Sequence, residues 1–399
     1  MASRQLTPLP VSPGTDGARQ VLRDVTAAQR GGAAVLLLPE DPAFTPEKSD
    51  SALTTEWPET AIVVPTSGST GKPRQVEISQ DAVAAAISGS HTALAGPGLW
   101  LTALPVNSIA GLMTMVRSVA AGVEPEIWPG IGGALSFDAE SFRRSCINAQ
   151  RRADAAGLPC YVSLVPTQVL RLVRDGRLAE LARFDRVLIG GAALAPALVD
   201  ELTAADVSLV LGYGATETCG GVIYDGRPLP GVSVRIGDDA DGSESGLVEI
   251  ASPSLASGYR GDPEATATAF SDGWFRTSDL GVLTNGVLSL NGRMDDIIKV
   301  GGNKVSLHQL SDAVRTVPGV LEAVALPLPD VEWGTLPRVF VVPDTGLTGH
   351  QDDDDFVNQI NAVIRDHTRW PSRHLMVRIV DELPELPGGK VDRLAGEVE

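Results

Sequence analysis

Cysteine is scarce. Cys146, Cys160 and Cys219 are the only three in 399 residues, the count is odd, and none sits in a CxxC pair. That argues against a disulfide framework and against a cysteine-built zinc site. Cations are in deficit as well: 32 Lys and Arg stand against 50 Asp and Glu, a formal net charge of −18. So acidic a chain is a poor candidate for nucleic-acid binding or for docking on an anionic membrane, although a local cluster of cations can still serve an anionic ligand. No apolar run approaches the roughly 18 residues that a membrane helix needs. The first ten residues lack the basic-then-apolar order of a signal peptide. These absences point to a soluble, cytoplasmic protein with no nucleic-acid partner and no membrane insertion. What is present is ordinary globular composition, 43% hydrophobic and 21% charged, and a length that suits two or three domains.

Short apolar runs alternate with helical patterns in the first half. Residues 33–39, 61–65, 101–105, 161–165, 186–189 and 208–211 have the length and bounding residues of buried strands. Residues 80–95, with Ser79 as cap, and 167–174 have helical periodicity. This alternation predicts an α/β region with a largely parallel sheet. From about Gly231 the texture becomes antiparallel, with strands at 232–236, 246–250 and 281–290. Asn285-Gly286 between apolar runs marks a hairpin, because a type I′ turn needs positive φ at both central residues. After Gly292 a small α+β unit follows. Its helices are marked by Leu307, Leu310, Val314 and Val317, and by Phe356, Ile360 and Val363, with strands at 321–326, 338–342 and 376–380. The fold class read from these patterns is α/β, with a large N-terminal domain at 1–292 and a small α+β domain at 293–399. The acidic run at 352–355 reads as a helix start rather than a metal site.

The segment carrying most chemistry is Thr66, Ser67, Gly68, Ser69, Thr70, Gly71 and Lys72, entered from the strand at 61–65 and followed by a helix. Glycines let backbone N–H groups approach an anion, hydroxyls add donors, and Lys72 adds charge. This suits a polyphosphate. It is not a Walker loop, since Thr66 stands where that pattern has Gly and Pro73 follows Lys72.

This loop resembles the phosphate loop of the adenylate-forming superfamily, which includes acyl-CoA synthetases, luciferases and peptide-synthetase adenylation domains. Four more blocks follow in that family's order: Gly212-Tyr213-Gly214-Ala215-Thr216-Glu217, Gly273 to Gly281, Gly292 to Lys299, and Leu386 to Arg393. The resemblance implies a two-step enzyme that uses ATP, Mg²⁺ and coenzyme A with a small carboxylic acid. Attack of a carboxylate on the α-phosphate brings two anions together, so charge must be neutralised and the groups aligned. By resemblance, Lys390 contacts acid and nucleotide during adenylation, Glu217 holds the metal, a hard cation that prefers oxygen, and Thr216 donates to the α-phosphate. Tyr213, beside Gly214, stacks on adenine, which Gly190, Gly191 and Ala192 border. Asp279 accepts from the ribose hydroxyls and Arg293 supports them. For Tyr213 and the 190–192 stretch, core packing and a strand-end turn remain the alternatives. The family also implies that the C-terminal domain moves about a hinge at Asp295, alternately presenting Lys390 and the paired glycines Gly301 and Gly302, which border a pantetheine tunnel.

Sixty-five residues precede Thr66, fewer than in typical acyl-CoA synthetases, as in compact members of the superfamily. The stretch 212–232, with Thr216 to Gly221 and Tyr224 to Leu229, closely resembles actinobacterial o-succinylbenzoate–CoA ligases of menaquinone biosynthesis. Ser163 to Gln168, Ala103-Leu104-Pro105, Ile109-Ala110-Gly111 and Val116-Arg117-Ser118 fit the same group. The chain departs from that group at Asn107 and Ser108, where an aromatic and a His are common beside the acyl pocket. Ser278 replaces a common Gly and Gln309 a common Glu. The implied acid carries two carboxylates, and a buried second charge demands partners. Asn107, Ser108, Ser163 and Gln168 are the polar candidates. A ligase for another aryl or acyl acid, transfer to a carrier protein, and a non-catalytic nucleotide-binding relative stay open, as does a homodimer against a monomer.

Overall fold

The computed structural model describes residues 3–39, 53–66, 74–133, 137–237, 245–300, 303–330, 334–344, 354–368, 376–384 and 391. Four sheets organise them. The first runs in the order Leu6–Pro10, Ala34–Leu38, Thr60–Thr66, Arg74–Ser79 and Gly258–Tyr259. Its first three strands are parallel and its last two pairings antiparallel. The second sheet is the predicted parallel one. Glu126–Ile127, Leu99–Thr102, Cys160–Leu164, Arg186–Ile189 and Leu209–Ala215 lie parallel, and Gly220–Tyr224 and Arg227–Pro228 close one edge antiparallel. Continuous burial of the Cys160–Leu164 strand explains why it reads as a mainly apolar run interrupted only by Ser163.

One expectation needs correcting. The segment after residues 67–73 is not a helix but the strand Arg74–Ser79, which folds back on Thr60–Thr66 with Thr66 opposite Arg74. The helix comes next, at Gln80–Ala93, capped as expected by Ser79 Oγ, which accepts from the Ala82 N–H at 3.0 Å.

The third sheet is antiparallel and joins Ser233–Ile236, Gly246–Ala251, Trp274–Thr284, Phe270–Ser271 and Val287–Arg293. Its hairpin turns at Asn285 and Gly286, with φ of 52° and 77°, the two left-handed residues the dipeptide requires. The fourth sheet, from Ile297 onward, pairs Asn303–Ser306, Ile297–Val300, Gly334–Pro343 and Val320–Asp330, with Met376–Ile379 beside Gly334–Pro343. The helices Leu307–Arg315 and Asp354–Thr368 pack Leu310, Val314, Ile360 and Ile364 against it, forming a core of its own. Asp354 and Asp355 lie in the first turn of the second of these helices, where carboxylates complement the dipole; Asp352 and Asp353 lie outside the described residues. The molecule is therefore an α/β protein with a large N-terminal part and a small C-terminal α+β domain.

The two parts touch. Leu170, Ala195 and Leu198 share an apolar cluster with Leu321, Leu326, Phe340, Val342 and Leu383. Arg171 pairs with Glu382 at 3.1 Å, and Arg174 donates to the Asp381 carbonyl. Val391 packs on the same cluster. No described helix is long and apolar enough to cross a membrane.

Candidate active site

The strands of the second sheet end in one row. In-register pairing sets Ser163 beside Leu188 and Leu188 beside Val210, and two-residue alternation then brings Ser163, Gly190, Gly212 and Gly214 to one face near the strand ends. Backbone approaches here leave no room for side chains. A Cβ on Gly214 would lie 2.1 Å from the Gly220 carbonyl oxygen, and one on Gly190 would lie 2.9 Å from that of Gly212. Gly191, with φ of 86°, turns the chain away from the sheet into Ala192, and both are exposed. The row is thus a shallow floor on which a flat ligand could rest.

At one end of this row four predicted residues converge. Asp279 stands opposite Arg293 in the Trp274–Thr284 and Val287–Arg293 hairpin. Arg293 Nη1 donates to Asp279 Oδ1 at 3.2 Å, and Tyr213 Oη donates to Asp279 Oδ2 at 2.6 Å. Arg293 also grips Asp295 bidentately, Nε to Oδ1 at 2.9 Å and Nη2 to Oδ2 at 3.0 Å. Burial, then the Asp279 charge, push the Tyr213 phenol far above its ordinary value, so it stays a donor. Burial alone would lower the Arg293 value, but Asp295 and Asp279 outweigh it and hold the guanidinium charged. Each Asp279 oxygen keeps a further acceptor position, as a vicinal diol requires. Asp295 lies in the short turn Met294–Asp296 between the third and fourth sheets.

Beyond Tyr213 the chain forms the turn Thr216–Thr218. Thr218 Oγ1 accepts from the Ala215 N–H at 2.8 Å, and Cys219 closes the turn with a left-handed φ of 57°. This holds Thr216 and Glu217 partly exposed at the strand end. Glu217 Oε1 accepts from Tyr259 Oη at 2.9 Å. Its Oε2 has no hydrogen-bond partner among the described residues. No cluster of three or more His, Cys, Asp or Glu side chains suited to a metal occurs among those residues. One open carboxylate oxygen fits Mg²⁺, which keeps waters and takes its other ligands from substrate phosphates. Thr66 ends its strand part-exposed, opposite Arg74. Ser67, Gly68, Ser69, Thr70, Gly71, Lys72, Gly301, Gly302 and Lys390 lie outside the described residues.

Of the residues expected to face the acid, two are engaged by backbone. Ser108 caps the helix Ile109–Ala120 and donates to the Pro105 carbonyl at 2.6 Å. Gln168 brackets two strand ends, donating to the Ala103 carbonyl at 3.1 Å and accepting from the Val165 N–H at 3.2 Å. Ser163 is buried and Asn107 half-buried.

A buried cation with no ion pair among the described residues is Arg117, which the sequence offered only as part of a motif. Arg117 is 2% exposed on helix Ile109–Ala120, its guanidinium 5.3 Å from the Trp100 ring, and neither Nε nor Nη2 has an acceptor. It acts electrostatically on Cys219, just past Glu217; burial pushes that thiol up to about 12 while Arg117 pulls the other way. One turn earlier, Met113 Sδ lies 3.7 Å from Cys219 Sγ. On the other side, burial and then Arg117 lower the His91 value. The available signal was a single charged residue inside an otherwise uncharged helix. Tyr259, the partner of Glu217, carried no spacing signal. Two open depressions of about 490 and 400 Å³ lie elsewhere, at the far ends of the strands, beside Pro97 and Ala120 and beside Arg186 and Ser208.

The AMP-binding enzyme family matches residues 13–260, and the AMP-binding enzyme C-terminal domain matches residues 310–390. A probable 2-succinylbenzoate–CoA ligase of Mycobacterium tuberculosis is 34% identical over 339 residues, covering 84% of this chain and 83% of the relative. The long-chain-fatty-acid–CoA ligase FadD13 of the same species is 29% identical over 351 residues, covering 83% of this chain and 65% of that one. Among solved structures, the amide bond synthetase McbA of Marinactinospora thermotolerans superposes with a TM-score of 0.71 at 24% identity, over 98% of this chain and 88% of that one. The chain belongs to the AMP-binding, adenylate-forming enzymes, and among them to the AMP-forming acid–CoA ligases, whose substrates are a carboxylic acid, ATP and coenzyme A.

Proposed function

We propose that the acid is 2-succinylbenzoate and that the product feeds menaquinone biosynthesis. The observation that carries this reading is Arg117. Two nitrogens of its buried guanidinium, Nε and Nη2, lack an acceptor among the described residues, and such a buried charge is costly unless an anion arrives to pair with it. A fatty acid spends its one carboxylate at the phosphate and would leave Arg117 facing hydrocarbon. A dianionic acid spends one carboxylate on adenylation and keeps the second for Arg117. The similarity to the mycobacterial succinylbenzoate ligase supports the same acid; the similarity to FadD13 keeps a second reading, another acyl acid, in view.

The proposed chemistry has two steps. An oxygen of the succinyl carboxylate attacks the α-phosphorus of ATP, and the bond to pyrophosphate breaks. The coenzyme A thiol, losing its proton, then attacks the acyl carbonyl, and AMP leaves. The loop Ser67 to Lys72 and Thr66 cradle the phosphates, Thr216 donates to the α-phosphate, and Tyr213, Gly191 and Ala192 border adenine. Asp279 and Arg293 hold the ribose. Glu217 would hold Mg²⁺, which supplies charge neutralisation between the phosphate oxygens. Lys390 adds a cation at the reacting carboxylate. We place the domain boundary between residues 292 and 293 and the pivot at Asp295, where the Arg293–Asp295 grip would couple domain position to the ribose site. Gly301 and Gly302 then border the pantetheine arm.

A pyrophosphate-release panel over aryl and acyl acids, run with and without coenzyme A, tests this. The reading expects release with 2-succinylbenzoate and a thioester only when coenzyme A is present. Preference for a monocarboxylic fatty acid would overturn it.

A further inference from the structure

The segment 256–260 ties together two parts of the site that lie far apart in sequence. The Ala256 N–H donates to the Glu217 carbonyl at 2.8 Å, the Ser257 N–H to Glu77 at 2.8 Å, and the Arg260 N–H to Gln75 at 2.8 Å. Gly258–Tyr259 thereby joins the edge of strand Arg74–Ser79, the strand that leaves the phosphate loop. Tyr259 is 2% exposed. Its ring has the Arg74 guanidinium 4.9 Å from one face and the edge of Phe270 at 5.7 Å. Only its hydroxyl reaches toward the site, to Glu217 Oε1. Burial and the neighbouring Glu217 charge push the phenol well up, so it stays a donor across the working pH range.

We propose that Tyr259 is a positioning residue for the carboxylate that would hold the metal: its hydroxyl fixes Glu217 through Oε1 and leaves Oε2 free for a cation accompanying ATP. The inference rests on the reading of Glu217 as the metal carboxylate. A carboxylate on a flexible side chain must be frozen before it can ligate, and a donor to its second oxygen both orients it and selects one rotamer. Because Tyr259 is hydrogen-bonded into the strand that follows the phosphate loop, the carboxylate is set relative to the phosphates and not only relative to its own turn. Arg74 over the ring extends the link to the first residue after the loop.

The probe is Mn²⁺, titrated into the whole protein with saturating ATP and read by electron paramagnetic resonance, beside metal-free ATP binding by calorimetry. Tyr259→Phe keeps the ring and its stacking and removes only the hydroxyl. It should weaken Mn²⁺ by about tenfold or more, the usual effect of losing a partner of a ligating group, while metal-free ATP binding stays unchanged. Glu217→Gln should weaken Mn²⁺ further, and adding Tyr259→Phe to it should change nothing more, since the hydroxyl acts through that carboxylate. Unchanged Mn²⁺ affinity in Tyr259→Phe alone, or a full tenfold loss persisting in the Glu217→Gln background, overturns the proposal. So does a Tyr259→Phe protein that fails to fold or that loses metal-free ATP binding, because the hydroxyl would then be serving the fold. If Glu217→Gln leaves Mn²⁺ affinity intact, the metal reading of Glu217 falls and this inference falls with it.

Discussion

Replacing Arg117 with Met should make the free enzyme more stable and less active. Met roughly matches the length of the Arg stem and keeps its packing against Trp100, while the charge and the donors disappear. Two guanidinium nitrogens are buried without an acceptor, and each such unmade bond costs about 1–3 kcal/mol. The cation–π contact with Trp100, lost in the variant, offsets about 0.5–2 kcal/mol. The net gain for the free protein is on the order of 1–4 kcal/mol, the range seen when buried charge is exchanged for well-packed apolar groups. In a cooperative unit of this size each kcal/mol raises the melting temperature by about 2 °C. With 2-succinylbenzoate bound, the sign reverses. The ring carboxylate would be buried with no counter-charge, a cost of about 3–5 kcal/mol. That removes two to four orders of magnitude from kcat/KM, at about 1.4 kcal/mol per tenfold. Thermal melting monitored by circular dichroism gives the first quantity and a coupled thioester assay the second. A variant that melts lower than wild type, and loses activity equally toward monocarboxylic and dicarboxylic acids, would show Arg117 to be a satisfied structural cation and refute the reasoning.

Other outcomes follow from the same geometry. Lys390→Ala should abolish pyrophosphate release yet leave thioester formation from a supplied acyl adenylate largely intact; parallel loss of both half-reactions argues against a lysine confined to adenylation. Asp295→Pro fixes φ near −65° and removes the carboxylate that grips Arg293. One half-reaction should fall far more than the other, and unchanged turnover excludes Asp295 as the pivot. His91 is held below its ordinary 6.5 by burial and by Arg117, so the unfolded chain takes up this proton before the folded one does. Its contribution to stability is present above about pH 6.5 and is lost as pH falls from there through the lowered folded value. Urea midpoints between pH 7.5 and 5 should fall more steeply for wild type than for His91→Gln; parallel curves would show that His91 titrates alike in both states.

Local rules were enough for the elements whose partners lie close in sequence. Asn285-Gly286 specified its hairpin, Ser79 its helix, and the mainly apolar run around Val162 its central strand. The strand Arg74–Ser79 escaped because it buries Val76, Glu77 and Ile78 in succession, and a buried Glu breaks both strand patterns at once. Glu77 is tolerated there because Thr60 Oγ1 donates to it at 2.7 Å and the Glu56 N–H at 3.1 Å, partners 17 and 21 residues away that no window reveals. The Asp279–Arg293 pair was legible because its motif carries both residues on paired strands. The residues expected to face the acid were less so. Resemblance and polar residue type suggested Ser108 and Gln168, whereas folding engages both with backbone and the buried charge nearby in sequence is Arg117. Tyr259 illustrates the same limit, since its link to Glu217 spans 42 residues and depends on sheet closure.

The most direct measurement is the ratio of kcat/KM for thioester formation with 2-succinylbenzoate to that with the same keto acid lacking the ring carboxylate. If the buried guanidinium recognises the second carboxylate, the ratio should be on the order of a hundred or more in wild type, and should collapse toward one in Arg117→Met. Similar specificity constants for the two acids in the wild-type enzyme would contradict the assignment of a dianionic aryl keto acid.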